Sequence, residues 1–231
     1  MRHFVSAACG LWLAAVSAAH ADDLVVVELY TSQGCSSCPP ADEFLTMLAS
    51  DPRILPLALH VDYWDYIGWA DKFAHAAFTE RQRDYARAIG SRTIYTPQLI
   101  IGGQDRIEGF APVETAERLR AHFAAAMPVS LTVDRDGDEI TVRASAGQRL
   151  EAPVRVQLVR YTPAETVAIE RGENAGKTIT YHNIVTSWEV LGDWTGEEPL
   201  ELTVPYTGDQ PGAVIVQAPG PATILAAARV D

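Results

Sequence analysis

The sequence is poor in cysteine and in positive charge. Its 231 residues include only three cysteines, and 18 lysines and arginines stand against 30 aspartates and glutamates, giving a net charge of −12. Three cysteines are too few for a disulfide-rich scaffold, so the fold must depend on a hydrophobic core. The acidic balance argues against nucleic acid and anionic membranes as partners.

Several common functional motifs are also missing. There is no Gly-x-Ser-x-Gly sequence of the kind that hydrolases use. The acidic segment 134–138 has its glycine in the fourth position, whereas an EF-hand calcium loop requires it in the sixth. Segment 172–177 is one residue shorter than a phosphate-binding loop. We interpret both segments as turns, the second of which could touch a redox site described below.

The N-terminus carries a targeting signal. Arg2 precedes the apolar stretch 4–19, which is followed by a small-residue site ending at Ala21. This pattern is typical of a secretory signal peptide spanning residues 1–21, and the stretch is short for a membrane anchor. We therefore expect a periplasmic or secreted protein with no stable membrane insertion after cleavage. Cys35 and Cys38 are the cysteines that remain.

The rest of the chain changes pattern near residue 127. Residues 22–127 alternate short apolar runs with helical segments, which predicts βαβ units and an α/β domain. Residues 128–231 contain about eight short runs rich in β-branched residues, separated by turn signals. The expected fold class is an α/β domain followed by an all-β, sandwich-like C-terminal domain.

The most informative motif is Cys35-Ser-Ser-Cys38. It follows the predicted strand 24–30 and precedes a predicted helix over 41–49. A thiol at a helix N-terminus faces unpaired backbone N–H groups and the positive end of the helix dipole, and both favour the thiolate. We expect Cys35 to be the nucleophile and the more exposed sulfur, and Cys38 to be the resolving thiol. The alternative is a static structural disulfide or a pair of unreactive thiols.

Thr96-Pro97 supports the same interpretation. The dipeptide immediately precedes the predicted strand 98–101. In thioredoxin-like folds a cis-proline at this place lies beside the Cys-x-x-Cys pair. We predict a cis bond here, with the backbone of Thr96 exposed to bind an extended segment of a partner. The alternative is an ordinary proline at the start of a strand.

Glu28 lies inside the first apolar strand. A buried carboxylate is costly unless it is used or satisfied. In thioredoxin-like proteins, a buried acid below the cysteines accepts the proton of the resolving thiol. Glu28 is a candidate for this role, and the alternative is a carboxylate that pairs with a cation or caps a helix.

An aromatic and acidic stretch follows the second predicted strand. It contains His60, Asp62 and Trp64, continued by Asp65 and Trp69. If exposed, it would form a binding surface beside the cysteines; if buried, it would be core with helix-capping acids. His60 and the two thiols could also hold Cu(I). No residues have the spacing of a dedicated metal site, so we predict neither a metal nor a cofactor.

Four segments resemble a known family. Residues 27–42, 60–65 and 95–98, together with 171–177, resemble domain-of-unknown-function family 1223, which consists of secreted bacterial proteins with a thioredoxin-like fold. The resemblance covers nearly the whole chain after the signal peptide. It implies an exported protein with a thioredoxin-like N-terminal domain, but it implies no substrate.

The sequence as a whole predicts a thiol–disulfide oxidoreductase that acts on exported proteins or small disulfides. Cys35 would attack, Cys38 would resolve the mixed disulfide, and Thr96-Pro97 would hold the partner. Two alternatives stay open. One is a copper- or metal-handling thioredoxin-like chaperone, and the other is a non-catalytic scaffold or binding module in which the β-rich half carries the function.

Overall fold

A computed structural model describes residues 24–230 of the chain. The predicted signal peptide and its cleavage site lie outside the described residues. Within residues 24–230, no helix is long and apolar enough to cross a membrane.

The described chain contains three α-helices, one short 3-10 helix (Asp65–Ile67) and eleven strands. The helices are α1 (Pro39–Leu48), α2 (Ala76–Ala88) and α3 (Pro112–Ala124). The first four strands are β1 (Val25–Thr31), β2 (Ile54–His60), β3 (Gln98–Ile101) and β4 (Asp105–Glu108). The others are β5 (Val129–Asp136), β6 (Glu139–Ala146), β7 (Val154–Ala168), β8 (Thr178–Trp194), β9 (Leu200–Pro205), β10 (Gly212–Gln217) and β11 (Ile224–Val230).

Local sequence signals explain where the helices begin. Helices α1 and α3 start at Pro39 and Pro112, because proline has no N–H group to leave unpaired in a first turn. Helix α2 is capped by His75, whose Nδ1 accepts a hydrogen bond from the backbone N–H of Ala77 at 3.1 Å. The strand, Cys-x-x-Cys and helix therefore follow one another as predicted.

Eight strands form one mixed sheet that draws on both halves of the chain. Its order is β11-β10-β7-β8-β2-β1-β3-β4. Strands β1 and β2 pair in parallel over seven residues each, whereas β2 and β8 share a single parallel bridge between Ala58 and Ile184. Strands β5, β6 and β9 form a separate three-stranded sheet.

The fold class predicted from the sequence is wrong. The protein is mostly β, and it is not a thioredoxin α/β domain followed by a separate β domain. Strand β8 pairs with β2, so the long β7–β8 hairpin extends the sheet of the first half instead of forming an independent sandwich. This pairing covers the edge that β2 would otherwise expose. Residue 127 lies between α3 and β5, and the division into domains stays a prediction.

Side chains of β1 alternate between two apolar cores. Val27 and Leu29 pack with Leu45 of α1 on one face of the sheet. Tyr30 packs with Phe78 of α2 on the opposite face. Because successive strand residues point to opposite faces, α1 and the cysteines that precede it lie on one side of the sheet and α2 on the other.

The three-stranded sheet closes a further core. Val142 of β6 packs with Val156 of β7 and Val216 of β10. The C-terminal strands of the large sheet are therefore covered by β5, β6 and β9, while the N-terminal strands are covered by helices.

Candidate functional site

Cys35 and Cys38 form a disulfide at the entrance to α1. The backbone carbonyl of Cys38 accepts hydrogen bonds from the N–H groups of Ala41 at 2.8 Å and Asp42 at 3.1 Å, which places Cys38 at the N-cap of the helix. The two serines between the cysteines are exposed. Cys35 is only 1% exposed and Cys38 is fully buried, so neither sulfur is presented on an open surface.

A residue from the second half of the chain covers the disulfide loop. It lies in the hairpin tip, which we define as residues 169–177 between β7 and β8. The Nδ2 atom of Asn174 donates hydrogen bonds to the backbone oxygens of Gln33 at 3.0 Å and Cys35 at 2.8 Å. The Nζ atom of Lys177 donates to Oδ1 of Asn174 at 2.8 Å. The turn predicted at 172–177 therefore does contact the candidate redox site.

Trp69 connects the same loop to the hairpin tip. Its Nε1 donates a hydrogen bond to Oε1 of Gln33 at 2.8 Å. A Cβ atom at Gly172 would lie 3.2 Å from Cβ of Trp69, and Gly172 has φ +77°. Both the close approach and the left-handed backbone favour glycine at this position.

The Thr96-Pro97 peptide bond is cis, as predicted. Trp64 links this peptide bond to the disulfide loop. The Nε1 atom of Trp64 donates a hydrogen bond to Oγ1 of Thr96 at 2.7 Å, and a Cβ atom at Gly34 would lie 3.2 Å from Cβ of Trp64. Within residues 24–230, the backbone N–H and C=O of Thr96 make no hydrogen bond. These two backbone groups are therefore unpaired within the part of the chain that the structure describes.

Glu28 is the centre of a buried ion pair on the α2 side of the sheet. Arg81 donates to its carboxylate from Nε and from Nη2, both at 2.8 Å. The hydroxyls of Tyr30 and Tyr85 donate at 2.8 Å and 2.6 Å. Burial, reinforced by the charge of Glu28, raises the pKa of both tyrosines well above 10. Glu28 thus faces away from the helix that begins after Cys38, and its geometry fits a pairing carboxylate.

Asp42 is a buried acid that the sequence analysis did not include in the site. It lies one helical turn after Cys38, on the same side of α1. Its Oδ1 accepts a hydrogen bond from Oγ1 of Thr31 at 2.7 Å, and its buried Oδ2 has no hydrogen-bond partner. Burial raises the pKa of Asp42 from 3.8 to about 7, although the charge of His60 acts in the opposite direction. A carboxyl that titrates near neutral pH can exchange a proton with a nearby thiol.

His60 belongs to this buried cluster and does not line an open surface. Its Nδ1 lies 2.7 Å from Oδ2 of Asp71, and its ring packs edge-on against Phe73 and Tyr181. The same Asp71 oxygen accepts the backbone N–H of Gln33 at 2.8 Å. His60 therefore connects β2 to the segment that carries Cys35.

The other acids of the aromatic stretch hold the loop between β2 and α2. Asp62 accepts a hydrogen bond from Oγ1 of Thr79 at 2.6 Å, and Asp65 accepts the backbone N–H of Asp71 at 3.0 Å. Residues 24–230 contain no group of three or more His, Cys, Asp or Glu side chains placed to hold a metal ion. The stretch is thus largely packed and hydrogen-bonded, with Trp64 as its link to Thr96.

The profile of one protein family, described as protein of unknown function DUF1223, matches residues 26–217. The chain belongs to this family. The family suggested by the sequence is thereby confirmed, whereas the thioredoxin-like description is not confirmed by this match. This DUF1223 protein is also similar to an X-ray structure from Agrobacterium tumefaciens at 34% identity and a TM-score of 0.77, over 89% of this chain and 93% of that one.

A more distant similarity concerns the fold alone. HBP35 of Porphyromonas gingivalis is 13% identical, with a TM-score of 0.69 over 90% of this chain and 74% of that one. No curated protein matches the sequence.

We predict that Asp42→Asn changes how stability depends on pH. The folded protein holds the Asp42 proton more tightly than the unfolded chain does, so this group makes the free energy of unfolding fall as pH rises from about 4 to about 7, with no further change above that. Since a tenfold difference in proton affinity corresponds to about 1.4 kcal/mol, the effect is roughly 4 kcal/mol.

The measurement is urea unfolding of the oxidised protein between pH 4 and pH 8, comparing the wild type with Asp42→Asn. The fall in the free energy of unfolding with rising pH should be absent in Asp42→Asn. Asp84→Asn on the exposed face of α2 is the control and should keep it. Parallel curves for the wild type and Asp42→Asn would contradict the assignment.

We also predict that Glu28→Gln destabilises the protein by about 3 kcal/mol, because Arg81 would keep its charge without its buried partner. Chemical unfolding at pH 7 measures the loss. Glu201→Gln, which breaks an exposed pair with Arg143, should have little effect. Normal stability with an altered pH profile of disulfide exchange would instead favour Glu28 as the proton acceptor.

Proposed function

We propose that this DUF1223 protein is an exported thiol–disulfide oxidoreductase that acts through Cys35 and Cys38. The observation that carries the proposal is a disulfide at the N-terminus of α1, with Trp64 connecting its loop to the cis peptide bond at Thr96-Pro97. A helix N-terminus stabilises a thiolate, so it favours opening of the disulfide by thiol exchange. Export follows from the predicted signal peptide.

The chemistry divides between the two sulfurs. A thiolate of the partner attacks Sγ of Cys35 and forms a mixed disulfide, while the bond between Cys35 and Cys38 breaks and Cys38 leaves as a thiolate. A second thiol of the partner then attacks the mixed disulfide and releases Cys35. The partner dithiol is oxidised and the protein disulfide is reduced; the same steps in reverse oxidise the protein.

Asp42 is the proposed proton partner of Cys38. It follows Cys38 by one helical turn, it has an unpartnered carboxyl oxygen, and burial raises its pKa to about 7. A protonated Asp42 can supply the proton that the leaving thiolate takes up, and the carboxylate can accept it back in the reverse direction. Asp42 replaces Glu28 in this role, because Glu28 already binds Arg81 on the opposite face of the sheet.

The partner proposed is an extended segment of an exported protein. The backbone of Thr96 has a free N–H and a free C=O next to the site, and such groups bind an added strand through main-chain hydrogen bonds. The side chain of Thr96 accepts a hydrogen bond from Trp64, which fixes the orientation of this backbone edge.

The first experiment is the reduction potential of the mature protein in glutathione buffers. A value between roughly −120 and −270 mV would place the pair among active oxidoreductases. A value below about −300 mV, or the absence of reversible exchange, would identify a structural disulfide and overturn the proposal.

Cysteine variants provide the second test. We predict that Cys38→Ser traps partners as mixed disulfides with Cys35, because the resolving thiol is missing, whereas Cys35→Ser traps none. Non-reducing electrophoresis of cell envelopes, followed by identification of the captured proteins, measures this. The double variant is the matched control. Full activity of that double variant in cells would point to a scaffold role.

A further inference from the structure

The hairpin tip is exposed except at Ile169 and Asn174. From Arg171 to Thr178 every residue is exposed apart from Asn174, which is 1% exposed. The tip also closes on itself, since the backbone N–H of Gly176 donates to the oxygen of Ile169 at 2.8 Å and that of Ile169 donates to the oxygen of Lys177 at 2.9 Å. It is therefore a preformed turn that is anchored at its base by Ile169, which packs with Tyr181 and Ile184, and that inserts one polar side chain, Asn174, into the body of the protein.

The inserted side chain contacts the backbone on which Cys35 is carried. Both Asn174 hydrogen bonds go to backbone carbonyls, those of Gln33 and Cys35, and these groups are present whether the sulfurs are oxidised or reduced. Within residues 24–230, the Asn174 side chain makes one further hydrogen bond, which its Oδ1 accepts from Lys177. Neutral hydrogen bonds of this kind stabilise a docked segment only modestly, so residues 170–177 can undock without global unfolding while Ile169 stays packed.

We propose that Asn174 is a latch that controls access to Cys35. It holds the hairpin tip closed over the disulfide loop, and opening of the tip limits the rate at which thiols reach the sulfur. The proposal rests on the proposed function, because it assigns the regulation of the same site. Attack at Cys35 requires a thiolate to reach a residue that is 1% exposed, and a bulky attacking thiol needs a wider opening than a small one.

The test is the rate of disulfide reduction in oxidised wild type and in Asn174→Ala. Stopped-flow reduction by dithiothreitol should be about tenfold faster in the variant, as expected from the loss of two neutral hydrogen bonds. The rate of reduction by a reduced Cys-x-x-Cys peptide of about ten residues should increase by a larger factor than the rate with dithiothreitol. The bulkier reductant depends more on opening of the hairpin tip. Each reductant dithiol is oxidised to its disulfide as the protein is reduced.

The reduction potential separates a latch from a chemical effect on the sulfurs. Because Asn174 binds backbone carbonyls, which reduction of the disulfide does not change chemically, its loss should accelerate reduction and reoxidation equally and leave the potential unchanged. An acceleration accompanied by a matching shift in potential would overturn the latch and indicate altered thiol chemistry. An unchanged rate in a folded variant would also overturn it.

Two further variants complete the design. Lys177→Met removes the hydrogen bond to Oδ1 of Asn174 from an exposed position, so it should fold and accelerate reduction a few-fold. Thr180→Ala removes an exposed hydrogen bond to Thr166 in the stem of the same hairpin and should leave the rate unchanged. If Asn174→Ala fails to fold, a wild-type rate in Lys177→Met overturns the proposal.

Failure of the latch and failure of the proposed function give different results. Dithiothreitol reduces an accessible disulfide whether or not the protein exchanges disulfides in the cell, so its rate tests only the latch. A potential below about −300 mV would contradict the oxidoreductase but would leave the effect of Asn174→Ala measurable.

Discussion

The position of the disulfide loop depends on the carboxylate of Asp71. Its Oδ2 atom lies 2.7 Å from Nδ1 of His60 and accepts the backbone N–H of Gln33 at 2.8 Å, while its Oδ1 accepts the N–H of Phe73 at 2.9 Å. Three chain segments therefore meet at one buried acid. Because a buried carboxylate must be satisfied, each of these bonds constrains the others. The loop that carries Cys35 is fixed by this centre on one side and by Asn174 on another.

The two ends of the large sheet contribute different parts of the candidate site. Its N-terminal strands carry the cysteines and the cis-proline, while β7 and β8 extend it and deliver the hairpin tip. The single bridge between Ala58 and Ile184 is a narrow connection in terms of backbone pairing, and Asn183 strengthens it by donating from Nδ2 to the oxygen of Pro56 at 2.8 Å. The second half of the chain thus contributes to the candidate site through contacts, and neither cysteine of the disulfide lies in it.

Features set by neighbouring residues were predictable from the sequence. The apolar run of β1, the cysteines and the two prolines specify a strand, a turn and a helix through local preferences. The cis bond at Thr96-Pro97 was predicted by analogy with thioredoxin-like folds, because local preference alone favours trans. Contact between the turn 172–177 and the redox site was also anticipated, but the residues that make such contacts between distant segments were not. Asn174 meets Cys35 across 139 positions of the chain, and nothing in its local sequence distinguishes it from an ordinary turn residue. The β-branched pattern of β8 likewise fits an independent sandwich as well as an added strand.

Asp42 is an intermediate case. Its spacing from Cys38 could have been recognised as one helical turn, but its burial depends on Thr31 and on packing against the sheet. For Glu28, the sequence identified the residue but not its partner. Its position in an apolar strand correctly indicated a carboxylate with a special environment, and the identity of its partner, Arg81, depended on where α2 packs.

The order of the chain gives the covering of Cys35 a temporal consequence. A polypeptide is synthesised N-terminus first, so both cysteines are present well before Asn174, which follows Cys35 by 139 positions. During that interval no hairpin tip exists to shield the sulfurs. The two sulfurs can therefore pair before Asn174 is available, and the docking of the hairpin tip would then follow formation of the disulfide.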